Sequence, residues 1–272
     1  MAKCELCDFN NPKASATAII IREGKILLLR RTEEPFKGKW DLPGGYLHHM
    51  ERPEIALVRE LKEELGVDAS LTFVTAVPGT AYWKEKEFAI ISFCYLVDIG
   101  NQAMQLNAEN SEFLWQPVKD LDPKVIAFDS NQEIAALVKQ KFDFDLARVR
   151  TLVGQLDSSA EINEQSLYRA VLNGYVEKVL DGDKLIGMGW IFPRQTALRR
   201  QAVIEDMIVD EEYRGRGLGK KLMDGLVAWA NQNGMEMVEL TSSPKRIAAN
   251  ELYKKCGFML HPTNHYLYKV AH

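Results

Sequence analysis

The stretch GYLHHMERPEIALVRELKEELGV, from Gly45 to Val67, sets Glu60, Glu63 and Glu64 at positions i, i+3 and i+4. In a helix that spacing gathers three carboxylates on one face, where their charges repel. A hard divalent cation resolves the conflict, because Mg2+ takes a few carboxylate oxygens and keeps places for water and a substrate phosphate. Ile55, Val58, Leu61 and Leu65 recur at helical spacing and predict an apolar face that buries the helix against a core. The ordinary meaning of such a charge cluster is a solvated amphipathic helix. Two neighbouring features weigh against it. The pair Gly44-Gly45 lets backbone approach a ligand, and Arg59 beside Glu60 can pair with the upstream Glu51.

Taken together, Gly45, five residues, Glu51, seven residues, Arg59-Glu60-Leu61, one residue, Glu63-Glu64, one residue and Gly66-Val67 resemble the complete signature of the Nudix hydrolases. The resemblance implies an α/β/α sandwich with a mixed sheet, cleaving a nucleoside diphosphate linked to another group with Mg2+ or Mn2+. It assigns Glu60, Glu63 and Glu64 to metal binding and catalysis, Gly45 to the metal site, and Glu51 and Arg59 to structural support. The lead-in PFKGKWDLPGG is similar to the branch that includes ADP-ribose and NADH pyrophosphatases. ADP-ribose or a dinucleotide is therefore the favoured substrate, with damaged nucleoside triphosphates next.

The chain has 272 residues, 46% of them hydrophobic, which suits two domains each with its own core. A formal net charge of −4 gives no footprint for nucleic acid or membrane surface. MAKCELCDFN has no charged-then-apolar leader, and the longest apolar run, FAIISFCYLV, is half what a bilayer span needs, so a cytoplasmic protein is expected. Cys94 and Cys256 sit in apolar contexts that suit free thiols. Cys4 and Cys7 form a CxxC pair in an N-terminal segment, residues 1–13; with no second pair or spaced His, an inert pair is the expectation over a zinc knuckle.

The first domain is expected over residues 14–142. ASATAIIIREGKILLLRR reads as a hairpin about Glu23-Gly24, and the Pro- and Gly-rich TEEPFKGKWDLPGG as a loop. Phe36 and Trp40 in that loop have two readings, stacking on a base or packing beneath the loop. SLTFVTAV and EFAIISFCYLVDI read as strands, with GTAYWKEKE as the turn between them. Glu112, ahead of an apolar strand with Trp115, stands where many Nudix proteins supply one more acidic group, although a surface Glu is the plainer reading. Ser130 is expected to cap a short amphipathic helix.

The second domain is expected over residues 143–272. YVEKVLDGDKLIGMGWIF looks like two strands about residues 181–183. Further on, Arg214-Gly215-Arg216-Gly217-Leu218-Gly219 opens a helix, so its N–H groups and the helix dipole form an anion cradle. A dinucleotide fingerprint would need an acidic partner about twenty positions on, a role only forced upon Glu236 or Glu239. Arg214, Gly217 and Gly219 instead fill the pattern of the GNAT acyltransferases, a resemblance that continues through VELTSSPKRIAANELYKKCGF. It implies a mixed, strongly twisted sheet flanked by helices, with acetyl-CoA as cosubstrate. It places the CoA diphosphate on Arg214, Gly215, Arg216, Gly217, Leu218, Gly219 and Lys220, and the acyl carbonyl and pantetheine on Met207, Ile208 and Val209. Asn250 contacts CoA, and Tyr253 protonates its thiolate. Glu205, which alternates with Met207 and Val209, accepts the amine proton or plays a structural role.

The expectation is thus a bifunctional α/β protein of two domains: a Nudix sandwich followed by a GNAT-like transferase acting on an amine that the sequence leaves unread. The competing class is a binding protein: a catalytic first domain with a second that only senses acetyl-CoA, or a nucleotide-binding regulator. A homodimer is expected only by analogy with paired Nudix domains.

Overall fold

A computed structural model describes residues 11–83 and 86–268. The chain folds into two compact units, and each draws on two stretches of sequence. The first unit holds the chain up to Ala147 together with Glu161–Leu172, and the second holds Arg148–Ala160 together with the chain from Asn173 onward.

The first unit is built on β1 (Lys13–Arg22), β2 (Lys25–Arg31), β3 (Trp40–Asp41), β4 (Gly44–Tyr46), β5 (Ser70–Trp83), β6 (Lys86–Asp98) and β7 (Asn110–Pro117), with α1 (Pro53–Leu65) and α2 (Asp129–Phe142). The strands run in the order β3-β2-β1-β6-β5, with β4 added to β1 and β7 to β2. β1 pairs parallel to β6, with Ser15 beside Ser92, whereas β1 and β2 form the expected antiparallel hairpin. The continuous runs AIII and ILLL are apolar on both sides because the sheet is covered on both faces. On one face, Leu57, Leu61 and Leu65 of α1 pack with Ala16, Ala18, Ile20, Leu27, Leu29, Tyr95 and Val97. α2 buries Ile134, Ala135 and Val138 completely.

Three expectations change here. GTAYWKEKE is not a loose turn: β5 runs through Trp83 and β6 starts at Lys86, giving one long hairpin with Gly79 opposite Ile90. Ser130 is not a cap. Phe128 occupies the N-cap without a side-chain bond, Ser130 is buried, and Asp129 takes the free N–H of Thr80 at 2.8 Å. On α1, Ile55 and Val58 are exposed, at 58% and 38%, and the buried stripe is Ala56, Leu57, Leu61, Glu64 and Leu65. The stripe is rotated because Glu64, read as an outward charge, is buried instead.

A further helix, α4 (Glu164–Asn173), packs on the first unit although it follows α3 (Leu146–Leu156) of the second. Gln165 donates to the Ile21 carbonyl at 3.1 Å, and Glu164 accepts the Gly24 N–H at 3.1 Å. Tyr168, fully buried, meets Phe142 edge to face at 5.5 Å.

The second unit has a four-stranded sheet in the order β11-β10-β9-β8, from β8 (Tyr175–Asp181), β9 (Lys184–Gln195), β10 (Arg200–Val209) and β11 (Met237–Leu240). β8 and β9 form the expected hairpin, and β11 joins β10 in parallel. α5 (Leu218–Gln232) seals one face with Leu222, Met223, Leu226 and Ala230, and α6 (Ile247–Lys255) follows β11. No helix among the described residues is long and apolar enough to cross a membrane. Cys4 and Cys7 lie outside the described residues, and Cys94 is a buried free thiol.

Candidate active sites

Pro53 starts α1 and Gly66 ends it in the left-handed conformation, φ 71°, returning its N–H to the Lys62 carbonyl. The apolar stripe anchors the helix, and its other side presents Arg59 to acceptors on four residues. Arg59 grips Glu51 with two bonds, 3.0 Å to Oε1 and 2.9 Å to Oε2. It also donates to Glu60 at 2.8 Å, to Glu63 at 3.2 Å and to the Tyr46 carbonyl at 3.1 Å. These bonds hold the Glu51 carboxyl down at about 2, with help from the His48 N–H.

Glu64 is handled differently. It is 7% exposed, and it accepts the Gly44 N–H at 2.9 Å and the Asn110 amide at 3.3 Å. Burial pushes its carboxyl up to about 8 against those two bonds, with the charges of Glu60 and Asp41 adding to the rise. Glu60 is raised as well, first by burial, with Glu63 and Glu109 opposing the relief from Arg59.

Arg59 therefore brings Glu51, Glu60 and Glu63 together, while Glu64 turns inward. Among the described residues, no three His, Cys, Asp or Glu side chains converge in a geometry that could hold a metal ion. The donor set nevertheless fits a hard cation. It is all oxygen, and Gly45 supplies the space: a Cβ there would stand 2.4 Å from the Glu60 carboxyl carbon. Backbone and carboxylate thus meet where any side chain would intervene.

Glu112, read either as an added acidic group or as a surface Glu, and its neighbour Glu109 have different surroundings. Glu112 forms an ion pair with Arg30 at 2.6 Å, both half exposed. Glu109, immediately before β7, adds its charge to that of Glu63 in raising the Glu60 carboxyl. Its backbone is fixed by Thr32, which donates both its N–H and its hydroxyl to the Glu109 carbonyl. Asn110, which sequence reasoning also missed, is set opposite Arg31 by the β2–β7 register and holds Glu64. Phe36 packs rather than waits: its ring meets Phe128 at 5.1 Å and Tyr82 at 5.7 Å, and Lys39 lies over it. Trp40 lies under the Arg30 guanidinium.

In the second unit, Gly215 and Gly217 have φ of 79° and 78°, so the turn reaches α5 through conformations that glycine adopts without strain. Gly217 is the N-cap and, being glycine, offers no side-chain cap to the first N–H groups of α5. Arg214 donates to the Val209 carbonyl at 3.1 Å, and Arg216 donates to the Glu212 carbonyl and lies over Tyr213. Lys220 is paired with Asp224 at 2.6 Å. A Cβ on Gly219 would meet Leu252 at 3.0 Å, so the turn is seated against α6.

β10 breaks its alternation in a bulge between Glu205 and Ile208, where Asp206 takes φ 46°. As a result Glu205 does not share a face with Met207 and Val209. It stands opposite Trp190, whereas Met207 packs by Gly189 and Leu226 on the α5 side, with Val209 in the cluster around Leu222. Ile208 is buried. Burial, then Asp206, raises the Glu205 carboxyl. On α6, Tyr253 is half-buried, its phenol raised by that burial. Asn250 spends its amide on the Ser243 and Arg246 carbonyls at 2.9 Å, closing the turn that starts the helix.

Comparisons with known proteins agree on both halves. The NUDIX domain family matches residues 12–137, and the Acetyltransferase (GNAT) family matches residues 145–258. An ADP-ribose pyrophosphatase of Methanocaldococcus jannaschii is 30% identical over 131 residues, covering 48% of this chain and 76% of that protein. The uncharacterized N-acetyltransferase YobR of Bacillus subtilis is 30% identical over 92 residues, covering 34% of this chain and only 36% of its own length. A crystal structure of a MutT NUDIX hydrolase from Burkholderia pseudomallei superposes with a TM-score of 0.37 and 28% identity, over 41% of this chain and 87% of that one. The chain therefore belongs to the Nudix hydrolases through its first half and carries a GNAT acetyltransferase domain in its second, an enzyme by both families.

Proposed function

We propose that the first unit hydrolyses a nucleoside diphosphate linked to another group, with ADP-ribose the favoured substrate, and that the second transfers an acetyl group from acetyl-CoA to an amine. The observation that carries the hydrolase reading is the closure of Glu60 on Gly45 beneath the Arg59–Glu51 clamp. The archaeal relative's name as an ADP-ribose pyrophosphatase supports the choice of substrate.

Glu60, Glu63 and Glu64, with Glu109 as the added acidic group, are the residues that would hold Mg2+ or Mn2+ beside the Gly45 backbone. When bound, such a cation polarises a phosphoryl oxygen and lowers the pKa of a bound water. The chain's own part is positional. Arg59 fixes the Glu60 and Glu63 carboxylates from one side, Asn110 and the Gly44 N–H fix Glu64 from the other, and Glu51 holds Arg59 in place. Water adds to one phosphorus, and the bridging oxygen leaves with the other phosphate, giving AMP and ribose 5-phosphate from ADP-ribose.

In the second unit, the N–H groups at the start of α5, with Arg214 and Arg216 beside them, suit the CoA diphosphate. The Glu205 carboxylate and the Tyr253 phenol are the proposed acceptor and donor of protons.

The test is Mg2+-dependent hydrolysis of ADP-ribose, NADH, dinucleoside polyphosphates, CoA and nucleoside triphosphates, run beside Glu63→Gln and Glu64→Gln. Release of AMP from ADP-ribose that falls by orders of magnitude in both variants is expected. Near-full rates in either variant would overturn the assignment of these carboxylates.

A further inference from the structure

The entrance to the glycine-rich turn is gripped by α3, a helix that carries no recognisable motif. Arg148 and Gln155 lie seven residues apart on α3, hence on one face. Arg148 pairs with Asp210 and donates through Nε to the Leu185 carbonyl at 2.7 Å. Gln155 bridges two residues: its amide donates to Asp210 at 3.3 Å, and its oxygen accepts the Glu211 N–H at 3.0 Å.

Asp210 is the point where these contacts meet. It is 2% exposed, and its carboxylate also accepts the Glu212 N–H at 3.2 Å, capping the single turn Glu211–Tyr213. Its own N–H is bound by the Ile186 carbonyl at 2.9 Å. The N–H groups of residues 210, 211 and 212 are thus all engaged immediately before Arg214 opens the turn. At the far end of α3, Arg246 donates to the Leu156 carbonyl at 3.3 Å, tying the same helix to the start of α6.

A buried carboxylate with this many partners is costly to assemble merely to end a strand. Its directional consequence is to fix the path of the chain into Arg214–Gly219. We infer that Arg148, Gln155 and Asp210 are positioning residues that hold the glycine-rich turn in register for the diphosphate of an acyl-CoA donor. This rests on the proposed reading of that turn as the CoA site.

The inference separates the diphosphate from the rest of the donor. Gln155→Ala removes two bonds while leaving the Arg148–Asp210 pair intact, so the fold is spared an unpaired buried charge. Affinities of the full-length chain for acetyl-CoA and for S-acetylpantetheine, which lacks the diphosphate, are measured by titration calorimetry. In Gln155→Ala the acetyl-CoA Kd is expected to rise about tenfold, while the S-acetylpantetheine Kd stays within twofold. A conservative Gln155→Glu variant retains an acceptor for the Glu211 N–H but sets its charge against Asp210, and is expected to lose acetyl-CoA affinity as well. Equal losses for both ligands, or unchanged affinities with only a lower Tm, would overturn the positioning role and leave α3 a structural support. A wild-type chain that binds S-acetylpantetheine as tightly as acetyl-CoA would instead overturn the reading of the turn as a diphosphate cradle, and the inference with it.

Discussion

Replacing Gly45 by Ala should disable the hydrolase while leaving its fold intact. The new Cβ would lie 2.4 Å from the Glu60 carboxyl carbon and 2.5 Å and 2.6 Å from its oxygens. Ordinary contact between such atoms begins near 3.5 Å, so the carboxyl must retreat by about 1 Å. Only the far end of a flexible side chain has to move, and Gly45 pairs with Ala16 inside a regular ladder, so the backbone accepts the change. Lost chain entropy in the unfolded state favours Ala by about 0.4–1 kcal/mol, which offsets the local crowding. The retreat of Glu60 breaks its 2.8 Å bond with Arg59, a charge-assisted contact of the kind that contributes about 1.5–3 kcal/mol. Felt wholly in the transition state, that is a fall of roughly 10- to 150-fold in kcat/KM. The assay is Mg2+-dependent release of AMP from ADP-ribose, set beside urea denaturation of the same protein. Gly44→Ala is the contrasting control. There φ is 138° and the Cβ would stand 2.1 Å from the Ala16 carbonyl oxygen, so backbone must shift and stability should fall with activity. A Gly45→Ala protein with unchanged rate, or one whose stability collapses as Gly44→Ala does, would refute the reasoning.

Glu109→Gln is expected to lower hydrolysis at least tenfold more than Glu112→Gln, because the charge of Glu109 reaches Glu60 while Glu112 is spent on exposed Arg30; equal effects in a steady-state assay would return the role to Glu112. Glu51 carries an acid-stability prediction. Its folded-state value of about 2 lies below the ordinary 4.5, so its stabilising contribution is complete above about pH 4.5 and is lost as pH falls towards 2. Glu51→Gln should therefore flatten the stability profile of the first unit between those values, and parallel acid limbs for the two proteins would show that the Arg59 clamp does not select the charged carboxylate.

Local spacing made the Pro53–Leu65 helix legible, since i, i+3 and i+4 neighbours are fixed by the helix itself. Which face it buries was not, because Glu64 joins the buried stripe only once Asn110 and Gly44 are in place to receive it. Asn110 is set by the β2–β7 register and Glu109 by its bonds from Thr32, long-range pairings that residue spacing does not contain, so neither stood out beside Glu112. Glu205 was set with Met207 by period-two reasoning, which holds until a bulge intervenes; Asp206, at φ 46°, gives no compositional warning of one. The glycine-rich turn was legible because Gly217 must carry a positive φ there, whereas the grip of Arg148 and Gln155 on Asp210 joins residues more than fifty positions apart.

The placement of α4 also sets a timetable. A chain leaving the ribosome N-terminus first has delivered α2 by Phe142, yet the helix that completes the first unit ends only at Asn173, after α3 has already emerged for the second. At about 5–20 residues per second, the intervening 30 or so residues take roughly 2–6 s. During that interval the Ile21 carbonyl awaits Gln165, the Gly24 N–H awaits Glu164, and the ring of Phe142 awaits Tyr168. The nascent hydrolase is thus unfinished until synthesis of the transferase has begun.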